Sequence, residues 1–240
     1  MQPGMLVSPA TMGLTIRLDE VHHEYGRTEE AGTVTALENI SLEIPAGDFA
    51  VLMGPSGSGK STILNLIGAV DRPTRGRVML GDREISSMSE RDLTLVRRMK
   101  IGFIFQFFNL IPTLTVRENI EFPLALGGER GGMRERVDRV LDEIALGHRA
   151  SHYPNELSGG EMQRVAIGRA VVHDPPLLLA DEPTGNLDTR TGERILELIR
   201  SIHQSRNPTV VMATHSDRAA SFGDYVIDVI DGTAARRESR

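Results

Sequence analysis

A glycine-rich loop carries the clearest chemistry in this sequence. Its residues, Gly54-Pro55-Ser56-Gly57-Ser58-Gly59-Lys60-Ser61-Thr62, lie between an apolar run at 49–53 and a helical stretch at 62–70. Glycines let successive backbone N–H groups turn toward an anion, and the positive end of the following helix reinforces that binding. In loops of this spacing, Lys60 reaches the β- and γ-phosphates and the Ser61 hydroxyl ligates Mg²⁺. The loop therefore predicts a magnesium-dependent phosphate site.

Two carboxylates follow an apolar run further along the chain. Residues 177–180 are Leu-Leu-Leu-Ala, and Asp181 and Glu182 come directly after them. The carboxyl edge of a parallel strand is where ligands bind in α/β folds. Asp181 suits Mg²⁺, directly or through water, and Glu182 suits a general base that polarises an attacking water. A strand ending in two acids is by itself also a common solvated strand end, and the phosphate loop favours the catalytic interpretation.

A second anion-binding helix terminus is predicted at residues 157–161. Ser158, Gly159 and Gly160 precede an apolar stretch of helical period, and a helix that begins this way turns its positive end toward an anion. Taken alone, Ser158 is also explained as an ordinary helix cap. Because a helical segment separates this terminus from the phosphate loop, the two helix ends need not face the same nucleotide.

These side chains need elements that bring them to one sheet edge. Short β-rich runs alternate with segments of helical period, which predicts an α/β fold with a mostly parallel sheet. The candidate strands cover residues 15–18, 40–44, 49–53, 77–80, 101–105, 177–181, 209–214 and 225–230.

Between 107 and about 170 the only signals are helical. Thr115 and Glu118 have the spacing of a capping box, apolar residues recur at helical intervals from Met133 to Ile144, and a third helix starts at Ser158. This stretch predicts an all-helical subdomain inserted into the α/β core.

Composition narrows the class of protein. The 240 residues carry 27 Lys+Arg against 33 Asp+Glu, a formal net charge of −6, which argues against a nucleic-acid binder that works by bulk positive charge. The chain has no cysteine, and no apolar run approaches the roughly 18 residues that a membrane-spanning helix needs. We expect a cytoplasmic protein with one domain at 14–232, a flexible tail at 1–13 and a charged tail at 233–240.

Six motifs, in order, resemble those of the ATP-binding subunit of an ATP-binding cassette (ABC) transporter, over about residues 16–232. The loop at 54–62 resembles Walker A, Gln106 the Q-loop glutamine, 157–161 the signature motif, 178–182 Walker B, 186–188 the D-loop, and His215 the switch histidine. The resemblance implies an ABC-type P-loop NTPase core that hydrolyses ATP with Mg²⁺.

The same resemblance implies a homodimer with composite sites. Two copies pack head to tail, so that each ATP lies between Walker A of one copy and Ser158, Gly159 and Gly160 of the other. Asp188 would cross the dimer interface to the opposite nucleotide.

Three further roles and a partner follow from the resemblance. Tyr25 resembles the aromatic that stacks on adenine, Gln106 would contact Mg²⁺ or the lytic water, and His215 would hold the γ-phosphate. Residues 105–119 and 181–188 resemble the group of LolD, MacB and FtsE. This similarity implies an integral membrane permease as partner, a peripheral location on the inner face of the cell membrane, and export of lipoproteins, drugs or peptides or transmembrane mechanical signalling.

Other classes explain fewer motifs. A non-transport ABC ATPase of the DNA-repair or chromosome-organising type needs a long coiled-coil insertion, and a translation factor needs two cassettes; this sequence shows neither. A P-loop kinase or GTPase would explain Lys60 and Ser61 but would leave 158–160 and His215 without roles.

Overall fold

Two sheets flanked by helices form the core of the chain, in a computed structural model that describes residues 13–26, 32–128 and 131–237. The predicted flexible tail lies outside the described residues except for Gly13, and so do residues 238–240 of the predicted charged tail.

The larger sheet is mostly parallel. Its strands are β3 (Phe49–Met53), β6 (Ile101–Ile104), β7 (Leu177–Asp181), β8 (Thr209–Thr214), β9 (Tyr225–Ile230) and β10 (Thr233–Arg236). Five of them run parallel in the order β9-β3-β8-β7-β6, and β10 pairs antiparallel with β9 at the edge. Strands β3, β7 and β8 are buried almost throughout, as expected where helices cover both faces of a parallel sheet. The predicted α/β fold class is confirmed.

Part of the segment predicted as a charged tail belongs to this sheet. Strand β10 pairs residue by residue with 227–230 of β9. The guanidinium of Arg236 lies 3.7 Å from the ring centroid of Tyr225, and Arg237 Nε donates to Asp228 at 3.0 Å. Charge alone predicted solvated chain from 233, but backbone pairing and these side-chain partners order residues 233–237.

The smaller sheet is antiparallel, and the sequence did not separate it from the first. It comprises β1 (Ile16–Tyr25), β2 (Val34–Ile44), β4 (Arg75–Leu80) and β5 (Arg83–Glu84), in the order β2-β1-β4-β5. Both β1 and β2 are longer than the predicted runs at 15–18 and 40–44. Glu20 and Asn39 have positive φ, and the β1–β2 register shifts three times between residues 18 and 24. These bulges break the alternation of apolar and polar residues that sequence analysis follows.

The helices lie on the faces of the sheets and in the segment after β6. They are α1 (Lys60–Ile67), α2 (Glu90–Lys100), α3 (Val116–Gly127), α4 (Met133–Glu143), α5 (Gly159–Val171), α6 (Thr189–Arg206) and α7 (Asp217–Ala220), with short 3₁₀ turns at Gly147–Arg149 and Pro154–Glu156. None of these helices, in the described part of the chain, is long and apolar enough to cross a membrane.

Helices α3, α4 and α5 occupy the segment predicted to be helical. Thr115 caps α3 and Ser158 caps α5, each in a capping box with the glutamate three residues later. The three helices share one apolar cluster that includes Val116, Val137 and Val165. Gly168 allows close approach there, because a Cβ at this position would lie 3.0 Å from the Ile144 side chain. This packing fixes the helix that carries Ser158 against the rest of the segment.

Candidate active site

The phosphate loop joins the end of β3 to the start of α1. Gly59, the residue before α1, has φ 107°, and a Cβ there would lie 2.7 Å from the Leu37 side chain and 2.8 Å from the carbonyl oxygen of Ala36. Only glycine fits both the backbone conformation and the space. The turn that the sequence predicted therefore depends on contact with β2 as well as on its own residues.

Lys60 is buried within this loop. Its ammonium group donates to the carbonyl oxygens of Gly54 and Pro55, both at 2.8 Å, and its side chain is buried. The hydroxyl of Ser58 is also buried and has no hydrogen-bond partner within the described residues. A buried cation and an orphaned hydroxyl in one glycine loop suit an incoming anion, because phosphate oxygens can accept from both.

The side-chain oxygens of Ser61 and Asp181 meet beside the loop. Ser61 Oγ, in the first turn of α1, donates to Asp181 Oδ1 at 3.1 Å, although 120 residues separate them. Burial raises the pKa of Asp181 and the charge of Glu182 adds to this, while the Ser61 hydrogen bond and the charge of Lys60 lower it. A carboxylate destabilised by burial gains from a nearby cation.

These two oxygens suit Mg²⁺ as ligands. Hydroxyl and carboxylate oxygens are the ligands that this hard cation takes, and it is commonly held by one or two protein groups together with substrate phosphates. The described residues contain no group of three or more acidic, histidine or cysteine side chains that could hold a metal by themselves. Ser61 and Asp181 would therefore hold the ion jointly with phosphate oxygens.

Glu182 follows β7 in a strained backbone conformation. Its φ is 46°, and its backbone N–H donates to the carbonyl oxygen of Ala213 on the neighbouring strand at 3.0 Å. The two carboxylate oxygens lie 2.9 and 2.8 Å from Nδ1 of His215. Because Nδ1 faces a carboxylate, it carries the proton, and Nε2 is left to meet another partner.

One cleft of about 460 Å³ brings most of the predicted residues together. It is lined by Tyr25, Ser56, Gly57, Gly59, Lys60, Ser61, Thr62, Gln106, Asp181, Glu182 and His215, with Val34, Thr35 and Ala36 of β2. Six separate stretches of sequence thus meet at the carboxyl edge of the larger sheet. Tyr25 is 41% exposed at this cleft, and its hydroxyl lies 3.4 Å from Thr62 Oγ1.

Residues 34–36 were not among the predicted site residues. They line the cleft with small or β-branched side chains, and no chemical motif marks them. Asn186, part of the predicted D-loop, was given no role of its own. Its Nδ2 donates to the backbone carbonyl of Gln106 at 2.9 Å and so holds the glutamine loop against the segment after Glu182.

Gly54, Pro55 and Ser58 belong to the phosphate loop but are not among the residues that line the phosphate-loop cleft. Four other predicted residues line a different cleft. Ser158, Gly159, Gly160 and Asp188 belong to a cleft of about 330 Å³ that shares no described lining residue with the phosphate-loop cleft. Asp188 also borders a smaller cleft of about 210 Å³ that includes Glu182 and His215. One copy of the chain therefore holds the two predicted halves of the site in separate places.

Hydrogen bonds order both helix termini of this second cleft. Ser158 Oγ and its backbone N–H donate to one carboxylate oxygen of Glu161, at 2.7 and 2.8 Å, and these bonds lower the pKa of Glu161. Asp188 accepts from the backbone N–H of Thr191 at 3.0 Å, and the Thr191 hydroxyl and backbone lower its pKa. The other N–H groups in the first turn of each helix have no partner within the helix.

The phosphate loop, the acidic strand end and the separate serine–glycine helix terminus define an ATP-binding cassette ATPase. A family model described as ABC transporter matches residues 37–185. The chain belongs to the ABC transporter family, as its ATP-binding component.

Relatives support the same assignment. The chain is 46% identical over 230 residues to an uncharacterized ABC transporter ATP-binding protein of Methanocaldococcus jannaschii, MJ0796, which covers 93% of this chain and 96% of that protein. It is 42% identical to the macrolide export ATP-binding/permease protein MacB of Brucella melitensis, over 90% of this chain but 33% of MacB. The resemblance to the LolD, MacB and FtsE group is confirmed.

A solved structure supports the activity. The dimeric post-hydrolysis state of the MJ0796 cassette, bound to ADP and Pi, matches with a TM-score of 0.84 and 42% sequence identity, over 94% of this chain and all of that one. The predicted ATPase class and the predicted cofactors, ATP and Mg²⁺, are confirmed. The roles of individual residues remain predictions.

Proposed function

We propose that this chain is the ATPase subunit of a membrane transporter, in which two copies close head to tail around two ATP molecules. The observation that supports it most is the separation of the two clefts. Lys60, Ser61 and Glu182 line one cleft, whereas Ser158 and Gly159 line the other. A second copy of the same chain is the simplest source of the missing half of each site.

Each residue has a defined task in this mechanism. Lys60 exchanges the carbonyl oxygens of Gly54 and Pro55 for phosphate oxygens. Glu182 accepts a proton from the attacking water, and His215, held through Nδ1, presents Nε2 to the γ-phosphate. When bound, Mg²⁺ supplies positive charge at the phosphate oxygens. The helix terminus at Ser158 adds backbone N–H donors from the other copy.

Closure then depends on the nucleotide. Two helix termini and a lysine converge on the triphosphate charge, so the dimer is stable while the γ-phosphate is present and relaxes after hydrolysis. This cycle of opening and closing delivers work to the permease.

A groove of about 510 Å³ is the proposed site for the permease. It has an aromatic and aliphatic lining that includes Phe103, Phe105 and Phe122, and a rim that includes Arg97 and Arg98. An amphipathic permease segment that carries an acidic residue fits an apolar groove with a cationic rim. We place the chain, on this basis, at the inner face of the cell membrane.

The groove is connected to the active site by Arg169. Its guanidinium donates to the carbonyl oxygens of Asn109 and Phe108, at 2.5 and 2.9 Å, and burial lowers its pKa. It thereby fixes the loop that follows Gln106. Gln106 itself lines the nucleotide cleft. Permease movement at the groove would reach the nucleotide through this loop.

Complementation between two inactive variants tests the composite site. Lys60→Ala removes the phosphate-binding ammonium. Gly159→Asp places a carboxylate opposite the other copy's γ-phosphate, and the added Cβ has room, because its nearest neighbour lies 3.4 Å away on Leu187. Each variant alone is expected to be inactive. An equal mixture is expected to regain about one quarter of the wild-type ATPase activity, because half of the dimers keep one of two sites intact.

The control is a chain that carries both substitutions, mixed with Lys60→Ala. No intact pair of half-sites can form there, so that mixture should stay inactive. Failure of the first mixture to regain activity, with both variants folded, would contradict the shared site.

A further inference from the structure

We propose that Gln163 is a positioning residue that connects the signature helix α5 to the general base Glu182. The inference rests on the proposed role of Glu182. Gln163 is completely buried on α5, the helix whose first turn carries Gly159 and Gly160. It belongs to neither cleft, and no part of the mechanism above uses it.

The amide of Gln163 bonds to backbone beside two site residues. Its Nε2 atom donates to the carbonyl oxygen of Pro183 at 2.8 Å, and the carbonyl oxygen of Phe105 lies 3.5 Å from the same atom. Pro183 directly follows Glu182, and Phe105 directly precedes Gln106. One side chain on α5 is thus attached to both segments that bring polar groups to the nucleotide cleft.

The bond to Pro183 acts on a turn that needs support. Glu182 has a φ of 46°, a conformation that a residue with a Cβ keeps only where its surroundings hold it. The turn closes through the N–H of Gly185, which donates to the carbonyl oxygen of Glu182 at 3.0 Å. Within that turn, Gln163 fixes the plane of the peptide that joins residues 183 and 184. That peptide lies inside the turn that begins at Glu182, so holding it restrains the backbone that carries the Glu182 carboxylate.

The geometry also identifies which end of the Gln163 amide bonds to the Pro183 carbonyl. Both neighbouring groups are carbonyl oxygens, which only accept hydrogen bonds, so the NH₂ group must face them. The Oε1 atom is buried and has no hydrogen-bond partner within the described residues. Gln163 is therefore held at its donor end alone, and a displacement of α5 moves or releases the peptide that joins residues 183 and 184. In this way the base responds to the position of the helix that meets the other copy's nucleotide.

Steady-state kinetics of Gln163→Met test the proposal. Methionine keeps the length and volume of the side chain and removes the donor. We expect kcat to fall about 10-fold or more while KM for ATP stays within about 2-fold, since a displaced base slows the chemical step without loosening the nucleotide. The matched control is Val165→Ala, a buried change on the same helix within another cluster, which should lower the melting temperature and leave kcat unchanged.

A double variant separates positioning from general damage. In a Glu182→Gln background the base is already absent, so adding Gln163→Met should not lower the residual single-turnover rate further. An equal loss in both backgrounds, a change in KM alone, or an unchanged kcat would overturn the proposal. If Gln163→Met does not fold, Gln163→Asn, which keeps the amide one methylene short of Pro183, takes its place with the same expectations. Wild-type hydrolysis by Glu182→Gln alone would instead refute the proposed base.

Discussion

Glu182 is the single residue on which the proposed chemistry depends most. Its side chain is 17% exposed and contacts Nδ1 of His215. Glu182→Gln keeps the shape of the side chain but cannot take a proton at neutral pH. We expect ATP binding to persist while hydrolysis falls about 100-fold or more, as measured by phosphate release and nucleotide titration. Glu197→Gln, an exposed change on α6, is the control, and hydrolysis by Glu182→Gln at the wild-type rate would disprove the assignment.

Tyr25 gives a prediction about nucleotide affinity. Its half-exposed ring borders the phosphate-loop cleft, where an adenine ring could stack on it. Since base stacking on an aromatic side chain contributes about 1–3 kcal/mol, Tyr25→Ala should weaken ATP binding about 5-fold or more. Tyr25→Phe keeps the ring, so its affinity should remain near that of wild type. Equal affinities for Tyr25→Ala and wild type, measured by fluorescent-nucleotide titration, would remove Tyr25 from the site.

At the scale of elements, helices α3 and α5 both begin with a capping box. In each, a hydroxyl residue caps the helix and a glutamate three residues later bonds back to it. The pair on α3 was predicted from its spacing, because a capping box involves residues within one turn. For α5 only Ser158 was predicted as the cap, and the structure adds its pairing with Glu161. The second box also orders Ser158, so the cap and the proposed anion site are built from the same residue.

The box on α3 predicts a pH dependence. The backbone N–H and the hydroxyl of Thr115 lower the pKa of Glu118. A lowered folded pKa means that this stabilisation is complete above the unfolded value, about 4.3, and is lost as pH falls through the folded value. Glu118→Gln should therefore lower the free energy of unfolding at pH 7, and the difference from wild type should vanish in acid. Denaturant titrations from pH 7 to pH 3 measure this.

A comparison variant on the same helix makes the result specific. Glu121→Gln removes an equal charge outside the capping box. A constant difference between Glu118→Gln and wild type across the pH range would show that the ionised carboxylate does not supply the stabilisation.

At the scale of the whole molecule, the proposed function requires two surfaces to act together. The nucleotide cleft lies at the carboxyl edge of the larger sheet. The apolar groove lies between helix α3 and strand β6. Arg169 and the loop after Gln106 join them. A subunit that converts hydrolysis into permease movement requires such a connection between two distant surfaces.

The groove gives a prediction for the intact transporter. Phe122 is 38% exposed and lines it. Phe122→Asp should abolish binding to permease-containing membrane vesicles by placing a carboxylate on the apolar floor, while the ATPase activity of the isolated chain should not change. Tyr153→Asp alters another exposed aromatic outside the groove and should still bind. Sedimentation of vesicles with each purified variant measures this, and normal binding by Phe122→Asp would exclude the groove as the permease site.

The sequence by itself determined the five parallel strands of the larger sheet, the phosphate loop and the caps of α3 and α5. These features depend on residues a few positions apart, through turn conformation, helix capping and continuous apolar runs, so their signals are local. The family followed from the order of six such motifs. Helix α2 was not predicted, although Ser89 caps it, because its core-facing side chains are few.

Only the tertiary structure decided which elements pair and which polar groups meet. It separated the antiparallel sheet from the parallel one and ordered residues 233–236 as a strand. It also placed residues 34–36 in the nucleotide cleft and joined Gln163 to Pro183. The physical reason is that strand pairing joins backbone groups whatever their side chains, as in β10 and β9, and that burial and bonds such as Gln163 to Pro183 join residues from different parts of the chain. No local pattern of residues records such contacts.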